Sequence, residues 1–425
     1  MEERPDGDSG SEYPNGPVRA ASMTRGYGWP TGDGKAGGPR WLPGIVQRVE
    51  PDGVLDLLPG YLDANLLPVD MLRTAYADAF AEYGPAALTY GENRGPLPLR
   101  SALAARTARA DAVPCGPEHL LVTAGTSQML DLFARWLGQP GDVVLTESVT
   151  YNFGRSIFAD RGLRVRGVQM DGSGLDPAAL DRAAAAERAA GRRVAFVYMV
   201  PTFHNPTGLS VPRERRLELL AVTRRHRLVV VEDDAYAGLE FEPDAEWCSL
   251  AGLAGYRGVI RLCTFSKSLA PGLRLGWMLT DPRRVERIAM SATVTSGGGL
   301  NHLAALAIGG LMETGAYDEH VTWLRSQLRA RRDALVGALR AGLPEDFRVR
   351  SPGGGFFVWI RLPSGCSEAQ LVASAEQAGV PVAPGSRFGR AGEPALRLSF
   401  SFHSPSQLTE AAQRLVAAWR GTPSR

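Results

Sequence analysis

Between residues 119 and 279, seven short apolar runs alternate with stretches of helical periodicity, and this alternation limits the possible folds more than any other feature. Apolar runs of about four to eight residues are typical of strands that are buried on both faces of a sheet. Strands that alternate with helices predict a mostly parallel α/β sheet covered by helices on both sides. The seven predicted strands are His119–Thr123, Asp142–Thr146, Val165–Met170, Val194–Val200, Leu228–Glu232, Val259–Thr264 and Leu273–Leu279.

Two of the segments between these runs are typical helices. Ser127–Leu137 repeats apolar residues along one face, and the alanine-rich Pro177–Ala190 ends at Gly191. Glycine commonly terminates helices because it adopts left-handed backbone angles without a steric penalty. These helices are the expected connections between parallel strands.

After about residue 310 the pattern changes, and a long helical stretch runs from Tyr317 to about Arg340. Strands are predicted within Arg348–Leu362 and Ala395–Phe402, followed by a closing helix over Pro405–Arg420. This mixture is typical of a smaller α+β domain, distinct from the large sheet.

Composition excludes several classes of protein. A formal net charge of +2 predicts no attraction to nucleic acid, and no apolar run is long enough to span a membrane. The acidic N-terminus lacks the apolar region of a signal peptide. The four cysteines are far apart and form no CxxC pair, so they predict neither a metal site nor a disulfide framework. We therefore expect a cytoplasmic protein that binds neither nucleic acid nor membranes.

Lysine occurs only twice, at Lys35 and Lys267, whereas arginine occurs 45 times. A chain that uses arginine for almost all of its positive charge, yet keeps Lys267 in a segment rich in serine, glycine and arginine, favours a chemical role for that amine. A primary amine can lose its proton and attack a carbonyl, which a guanidinium cannot do. The carbonyl that fits best is the aldehyde of pyridoxal 5′-phosphate (PLP), held as a Schiff base. The alternative is a surface lysine left over in an arginine-rich chain.

Four motifs, the last of which contains this lysine, follow one another in a fixed order, and together they identify a resemblance. They are Thr123–Gln128, Asn205–Gly208, Glu232–Tyr236 and the continuous segment Thr264–Arg274. In this order they resemble the fold type I PLP enzymes of the class I/II aminotransferase family, in the branch of 2-aminoadipate and kynurenine aminotransferases. The resemblance covers the chain from about residue 42 to its C-terminus.

The resemblance implies three catalytic residues. Lys267 is implied to hold the cofactor and then to move a proton at the substrate Cα. Asp233 is implied to face the pyridine nitrogen and keep the ring electron-poor, with Asp234 as the rival carboxylate. Tyr236 is implied to bind the 3′-oxygen of the cofactor together with Asn205, which lies in a predicted turn.

The resemblance also implies the remaining contacts to the cofactor. Tyr151 matches the aromatic residue that stacks on the ring. Tyr90 matches a tyrosine that reaches the phosphate of the other subunit, which implies a homodimer with shared active sites. The implied phosphate ligands are Gly125, Thr126, Ser127, Thr264, Ser266 and Arg274.

For the substrate, the resemblance implies that Arg397 grips the α-carboxylate as a bidentate pair. Asn205 and Gly60 complete the implied substrate contacts. Two departures leave the substrate open. His204 stands where relatives commonly have an amide, and either packs the loop or does acid–base work. Leu57–Tyr61 replaces a loop that is richer in glycine in relatives.

The resemblance also implies the limits of the domains. Residues 76–311 are expected to form the large PLP-binding domain, and residues 41–75 and 312–425 the small α+β domain. Residues 1–40 contain nine glycines and five prolines. This stretch is expected to form a disordered tail, because it cannot bury enough apolar surface to offset its chain entropy. The alternative is an arm that docks on a partner subunit.

Three functions remain open at this point. The first is an aminotransferase that moves the amine of an L-amino acid to a 2-oxo acid. The second keeps the same site but performs elimination, decarboxylation-linked deamination or cyclisation, because a fold does not determine a reaction. The third is a transcription regulator with an aminotransferase-like sensor domain. About 40 glycine-rich residues before the matched region are too few for the DNA-binding domain of such a regulator.

Overall fold

The computed structural model describes residues 53–242, 247–390 and 392–420. The predicted disordered tail over residues 1–40, and the first part of the predicted segment 41–75, lie outside these residues. Among the described residues, no helix is both long enough and apolar enough to cross a membrane.

A seven-stranded sheet forms the centre of the large domain. The strands of the described residues are β1 Leu120–Thr123, β2 Val143–Glu147, β3 Arg164–Val168, β4 Met170–Asp171, β5 Gly174–Leu175, β6 Val194–Met199, β7 Val230–Asp233, β8 Val259–Thr264, β9 Gly276–Leu279, β10 Arg348–Val349, β11 Phe357–Arg361, β12 Ala383–Pro384 and β13 Ala395–Ser399. The order in the large sheet is β1-β9-β8-β7-β6-β2-β3. Six of these strands share one direction, whereas β9 runs antiparallel to its neighbours β1 and β8.

Helices cover this sheet and connect its parallel strands. The helices are α1 Val69–Tyr83, α2 Leu97–Asp111, α3 Thr126–Leu137, α4 Asn152–Asp160, α5 Pro177–Ala189, α6 Arg213–His226, α7 Leu250–Leu253, α8 Pro282–Ala289, α9 Ala292–Thr295, α10 His302–Glu313, α11 Ala316–Gly342, α12 Glu368–Gln377 and α13 Pro405–Arg420. Short 3₁₀ helices occupy Ala64–Leu66, Gly84–Leu88, Pro117–His119, Pro271–Leu273 and Gly385–Phe388.

The predicted α/β fold is confirmed, and each of the seven predicted runs contributes a strand to the large sheet. Val259–Thr264 has the predicted bounds. Leu273–Leu279 is a strand only from Gly276, because Pro271–Leu273 forms a 3₁₀ helix and Arg274 adopts a left-handed backbone with φ of 46°. Tertiary contacts of this turn therefore override the apolar pattern of the sequence.

The small domain has a four-stranded antiparallel sheet in the order β10-β11-β13-β12, packed against α11 and α13. The segment before α1 joins it. The Leu57 N–H donates to the carbonyl of Pro381 at 3.0 Å, and the Leu57 carbonyl accepts from Ser399 at 2.8 Å. Leu57 is fully buried in the core of this domain.

Helix α1 crosses the predicted domain limit at residue 75. Its Ala75 and Ala79 lie in the core of the large domain, together with residues of α2 and α10. We therefore propose to move the limit of the large domain to the start of α1 at Val69. The other predicted limits stay interpretations of the sequence.

Candidate active site

The carboxyl ends of β1, β2, β6, β7 and β8 meet at one edge of the large sheet, because these strands share one direction. In open α/β sheets this edge is where ligands bind. The turns that follow these strands carry most of the residues singled out from the sequence. The structure therefore brings together segments that are up to about 140 residues apart in the chain.

Lys267 follows β8, and its Nζ donates a hydrogen bond of 2.6 Å to the carbonyl of Gly60. The rings of Tyr236 and Phe356 lie 5.9 and 5.8 Å from Nζ, measured to their centroids. Burial lowers the pKa of Lys267 from 10.5 to about 8, and the Asp233 carboxylate acts in the opposite direction. An amine with this pKa is partly neutral near neutral pH, as a nucleophile requires.

Asp233 ends β7 and is buried. Its Oδ2 accepts a hydrogen bond of 2.8 Å from the Tyr198 hydroxyl, while its Oδ1 has no hydrogen-bond partner in the part of the chain that the structure describes. Burial raises the pKa of Asp233 from 3.8 to about 6, whereas Tyr198 and Lys267 lower it. A buried carboxylate oxygen without a partner is rare in native structures and fits a ligand that donates a proton.

The rival carboxylate, Asp234, is engaged elsewhere. Its Oδ2 pairs with Arg261 at 2.7 Å, and Arg261 also lies 3.4 Å from Asp111. Glu232, on the other side of Asp233, accepts hydrogen bonds of 2.9 Å from the backbone of residues 250 and 251. This buried network anchors the end of β7, and it supports Asp233 over Asp234 as the carboxylate that faces a ligand.

The turn between β1 and α3 adjoins Arg274. Gly125 has φ of +88°, and a Cβ at this position would lie 2.9 Å from Arg274 Nη2. Arg274 Nη2 donates to the carbonyl of Ala124 at 3.3 Å. Thr126 and Ser127 begin α3, so their backbone N–H groups lie at the helix N-terminus, where anions are favoured.

Thr264 and Ser266 lie close together at the end of β8. The Ser266 N–H donates to Thr264 Oγ1 at 3.0 Å, and the two hydroxyl oxygens are 2.9 Å apart. Gly276 on β9 allows this end to approach the turn at Gly125, because a Cβ there would lie 3.1 Å from the Gly125 Cα. Hydroxyls, N–H groups and a guanidinium thus lie close together at this edge of the sheet.

Asn205, Tyr236 and Arg397 form a second group of contacts. Arg397 Nη1 donates to Asn205 Oδ1 at 3.0 Å, and Nη2 donates to the Leu58 carbonyl at 2.6 Å. Burial raises the pKa of Tyr236, while the Arg397 charge and a hydrogen bond from Asn205 act against this rise. The large and small domains therefore both contribute to the site.

The Arg397 guanidinium lies between aromatic rings of the small domain. Its Cζ is 4.1 Å from the centroid of Phe357 and 4.7 Å from that of Phe388. Burial lowers its pKa from 12.5 to about 9, and Nε has no hydrogen-bond partner. Gly60 packs against the same wall, since a Cβ there would lie 3.1 Å from Phe357.

Tyr151 precedes α4 at the end of β2. Burial raises its pKa from 10 to about 12, and Asp233 contributes in the same direction. The Tyr151 ring lies beside Gly154, whose missing side chain leaves room for it and for the Tyr198 hydroxyl. Its location is compatible with an aromatic wall of the pocket.

Tyr90 is the predicted site residue that the fold does not bring to the others. It is 84% exposed and makes no hydrogen bond to the residues that the structure describes. The prediction places it in the active site of a partner subunit, and an exposed position is compatible with that role.

His204 is buried beside Asn205. Its Nδ1 is 2.8 Å from Thr207 Oγ1 in the same turn, and its Nε2 is 3.9 Å from Glu147 Oε1. Burial lowers the pKa of His204 from 6.5 to about 3, so the imidazole is neutral at physiological pH. These contacts support packing of the loop over acid–base work.

Sequence reasoning missed Tyr198. Tyr198 lies in the apolar run of β6, where a tyrosine resembles any other core aromatic residue. The available signal was its phenolic hydroxyl, because a buried tyrosine usually finds a polar partner. Nothing in the sequence identified that partner as Asp233.

The residues of this site fit PLP. Several of its buried polar atoms lack a hydrogen-bond partner among the described residues, including Thr123 Oγ1, His204 Nε2, Asp233 Oδ1, Asp234 Oδ1 and Arg397 Nε. PLP carries a pyridine nitrogen, a phosphate and an aldehyde. These groups match the Asp233 carboxylate, the turn at Gly125 beside Arg274, and the Lys267 amine.

Comparison with known proteins now identifies the family. The family model described as Aminotransferase class I and II matches residues 60–415. The chain belongs to this family. The 2-aminoadipate transaminase of Thermus thermophilus is 32% identical over 411 residues, which cover 95% of this chain and 99% of that protein. Aromatic-amino-acid aminotransferase 1 of Thermococcus litoralis is 29% identical over 382 residues, covering 88% and 89% of the two chains.

A solved structure agrees with these relatives. The α-aminoadipate aminotransferase LysN from Thermus thermophilus, complexed with N-(5′-phosphopyridoxyl)-L-leucine, has a TM-score of 0.75 and 32% identity, covering 87% of this chain and 93% of that one. The protein is thus an aminotransferase of fold type I, and the family implies PLP as its cofactor. The comparisons support amine transfer over the elimination or decarboxylation that the sequence had left open.

Proposed function

We propose that this aminotransferase holds PLP covalently on Lys267 and moves the amine of an L-amino acid to a 2-oxo acid. One arrangement carries the proposal. Burial lowers the pKa of the Lys267 amine to about 8. The nearby Asp233 carboxylate raises this pKa, and the nearby Arg397 guanidinium lowers it. These are the amine, the ring partner and the carboxylate grip that transamination requires.

When bound, PLP supplies an electron-poor ring that stabilises negative charge at the substrate Cα. Asp233 would hold a proton on the ring nitrogen through Oδ1. Tyr236 and Asn205 would bind the 3′-oxygen, and Tyr151 would pack against the ring. The phosphate ligands would be Gly125, Thr126, Ser127, Thr264, Ser266 and Arg274.

Arg397 binds the substrate carboxylate, because its fork of N–H groups matches two oxygens and its Nε is unpaired. Lys267 would move a proton at the substrate Cα, because its lowered pKa leaves the amine partly neutral and able to accept one. Gly60 keeps its carbonyl within reach of this amine. The buried walls of Phe357 and Phe388 exclude water around Arg397.

We further propose that the substrate has a neutral, aromatic or aliphatic side chain. Arg397 and Arg274 are the two cations that act on Lys267 among the described residues. Both already have an assigned anion, and Arg387, the further cation that acts on Arg397, is exposed to solvent. The similarity to an aromatic-amino-acid aminotransferase supports this proposal.

A spectroscopic half-reaction tests the proposal. Purified, PLP-loaded enzyme is mixed with L-phenylalanine, L-leucine or L-2-aminoadipate without any 2-oxo acid. We expect a neutral amino acid to convert the visible absorbance of the enzyme, and 2-oxoglutarate to restore it. Recovery without a 2-oxo acid, together with release of ammonia or carbon dioxide, would contradict transamination. A response to L-2-aminoadipate alone would contradict the neutral side chain.

Lys267→Ala tests the covalent attachment. We expect the variant to lose both the visible absorbance and the borohydride-reducible label that mass spectrometry finds on the wild-type peptide. A label that persists on another residue of the variant would reject the assignment. Lys35→Arg, which removes the other lysine, is the matched control and should retain both signals.

We propose that the enzyme is a homodimer in which Tyr90 completes the site of the partner subunit. The exposure of Leu88 (72%) and Tyr90 (84%) supports an interface at this surface. Mixing Lys267→Ala and Tyr90→Phe subunits tests it. A shared site predicts recovered activity, because the hybrid has one site with both native residues. If Tyr90 acts in its own subunit, no hybrid site is intact and activity stays absent.

We also propose a cytoplasmic location. The four cysteines are unpaired, as is typical of proteins in a reducing compartment. Fractionation of the native cells with a specific antibody would test this. Recovery in a secreted fraction would reject it.

A further inference from the structure

A cleft of about 650 Å³ lies between the large and small domains, outside the group of residues assigned to the cofactor. One wall is formed by Asp171 and Gly172, in the hairpin of β4 and β5. The opposite wall is formed by β10 and β11 of the small domain. Its volume is within the range of about 300 to 1,000 Å³ that holds small ligands in proteins.

Three arginines of the small-domain sheet face this cleft. In the antiparallel pair of β10 and β11, Arg348 lies directly opposite Arg361. Arg350 follows two residues after Arg348, so it lies on the same face of the sheet. Val349 and Ile360, on the other face, are buried in the core of the small domain. The alternation of the strands therefore directs all three guanidiniums to the cleft.

The described residues around the cleft do not balance this charge. Arg361 lies 4.0 Å from Glu393, and Arg348 forms no ion pair with a described residue. Asp171 on the opposite wall already pairs with Arg215 at 2.9 Å. Arg350 donates a long hydrogen bond of 3.4 Å to the neutral carbonyl of Gly172. Three positive charges thus face one available carboxylate.

Like charges directly opposite each other on a sheet are destabilising. Burial lowers the pKa of Arg350, and the charge of Arg361 lowers it further, so the guanidiniums repel one another. A bound anion would remove this repulsion. Guanidiniums also bind phosphate and carboxylate oxygens as planar, bidentate pairs.

We propose that this cleft binds a small polyvalent oxyanion, through Arg348, Arg350 and Arg361. The ligand carries at least two anionic groups, because three guanidiniums and one carboxylate leave a net charge of about +2 at the site. Phosphorylated and polycarboxylate metabolites share this chemistry. The site is additional to the proposed transamination and does not depend on it.

The cleft borders the active site without being part of it. Trp359 lies on the cleft face of β11, and it is directly opposite Arg397 of β13 in the sheet register. The ring centroid of Phe388 lies 6.4 Å from that of Trp359 and 4.7 Å from Arg397 Cζ. The rings of Trp359 and Phe388 therefore separate Arg397 from the three arginines of the cleft. One sheet face therefore carries both the proposed substrate grip and the anion site.

Isothermal titration calorimetry on the PLP-loaded, full-length enzyme tests the site. Loading with PLP keeps the proposed phosphate pocket filled, so that an added anion reports on the cleft. Pyrophosphate and citrate are titrated separately at one constant ionic strength. We expect saturable binding of at least one of them, at one site per chain. Pyrophosphate alone would identify a phosphorylated ligand, and citrate alone a polycarboxylate.

Two pairs of substitutions locate the binding. The double variant Arg348→Gln/Arg361→Gln removes two charges and is expected to weaken binding about tenfold or more. Arg109→Gln/Arg224→Gln is the matched control, because both arginines are exposed and form no ion pair with a described residue. This control should bind as the wild type does. Absence of saturable binding to the wild type, or equal binding by the cleft variant, would overturn the proposal.

Thermal unfolding of the same proteins separates lost binding from lost folding. Without added anion, Arg348→Gln/Arg361→Gln should melt no lower than the wild type, because it loses a like-charge pair. The anion should raise the melting temperature of the wild type but not that of this variant. Should the double variant melt lower, Arg348→Gln alone decides the question, since Arg348 is exposed and forms no ion pair with a described residue. Undiminished binding by this single variant would reject the role of Arg348.

Discussion

Tyr198 on β6 donates a hydrogen bond of 2.8 Å to Oδ2 of Asp233 on the neighbouring parallel strand β7. Burial raises the pKa of Tyr198 well above 10, so the phenol stays protonated and always serves as the donor. Gly154 makes room for this hydroxyl, because a Cβ there would lie 3.2 Å from it. Tyr198 is therefore a positioning residue, which orients Asp233 and leaves Oδ1 for the proposed cofactor nitrogen.

Tyr198→Phe should lower kcat by about tenfold or more, because it removes a hydrogen bond to a charged group. The pKa of Asp233, which Tyr198 lowers and which stands at about 6, should rise. Since Asp233 acts as a carboxylate, the acid limb of the pH–activity profile should move to higher pH. Steady-state kinetics between pH 5 and 9 measures both effects.

Tyr256→Phe is the matched control for Tyr198→Phe. Tyr256 is also buried, but its hydroxyl bonds the carbonyl of Val113, away from the candidate site. We expect this control to keep the acid limb unchanged. An unshifted limb in Tyr198→Phe would reduce Tyr198 to a packing residue.

Capture of PLP by the cofactor-free enzyme should follow the titration of Lys267. The neutral amine is the nucleophile, and its fraction rises with pH through the pKa of about 8. Below that pH we expect the capture rate to fall about tenfold per pH unit, and above it to level off. Stopped-flow absorbance measures the rate. A midpoint near the ordinary 10.5 would contradict the lowered pKa.

Asp233→Asn tests the cause of that titration. The Asp233 carboxylate raises the pKa of Lys267, so its removal should move the midpoint of PLP capture to lower pH. The direction follows because the charged ammonium loses a favourable partner. A midpoint that moves upward, or stays in place, would show that Asp233 does not act on Lys267.

Arg397→Lys should raise KM for the amino donor and lower kcat/KM about a hundredfold. A lysine cannot form the two parallel hydrogen bonds of a guanidinium, and it would be held in the same buried pocket. Arg224→Lys on the surface of α6 should leave both constants unchanged. A similar loss of kcat/KM with a decarboxylated amine as donor would show that Arg397 does not bind the substrate carboxylate.

Gly125→Ala should weaken the binding of PLP about tenfold or more, but not that of pyridoxal, which lacks the phosphate. The added Cβ would lie 2.9 Å from Arg274 Nη2 and would displace the guanidinium from the turn. Gly141→Ala is the control, because Gly141 also has a positive φ (+95°) but nothing within 4 Å of the new Cβ. Equal losses for PLP and pyridoxal would show that the turn does not hold the phosphate.

Local patterns of apolar residues in the sequence predicted much of the fold. The strand Val259–Thr264 and the helix Pro405–Arg420 have their predicted bounds, because their apolar periodicity and flanking residues agree with the packing. The resemblance that the ordered motifs carry implied one shared site, and the structure explains it, since parallel strands end at one edge of a sheet. Neither the antiparallel direction of β9 nor the helix that crosses residue 75 followed from these patterns.

The sequence by itself thus determined the helices and strands, the layered α/β class, and Lys267 as the candidate reactive amine in a chain with 45 arginines. Only the tertiary structure decided which residues contact one another. Tyr198 meets Asp233 across 35 residues, Lys267 meets Gly60 across 207, and Arg348 stands opposite Arg361 through strand register. The physical reason is that periodicity depends on neighbours in the chain, whereas pKa values, unpaired polar atoms and clusters of like charge depend on distances that only folding sets.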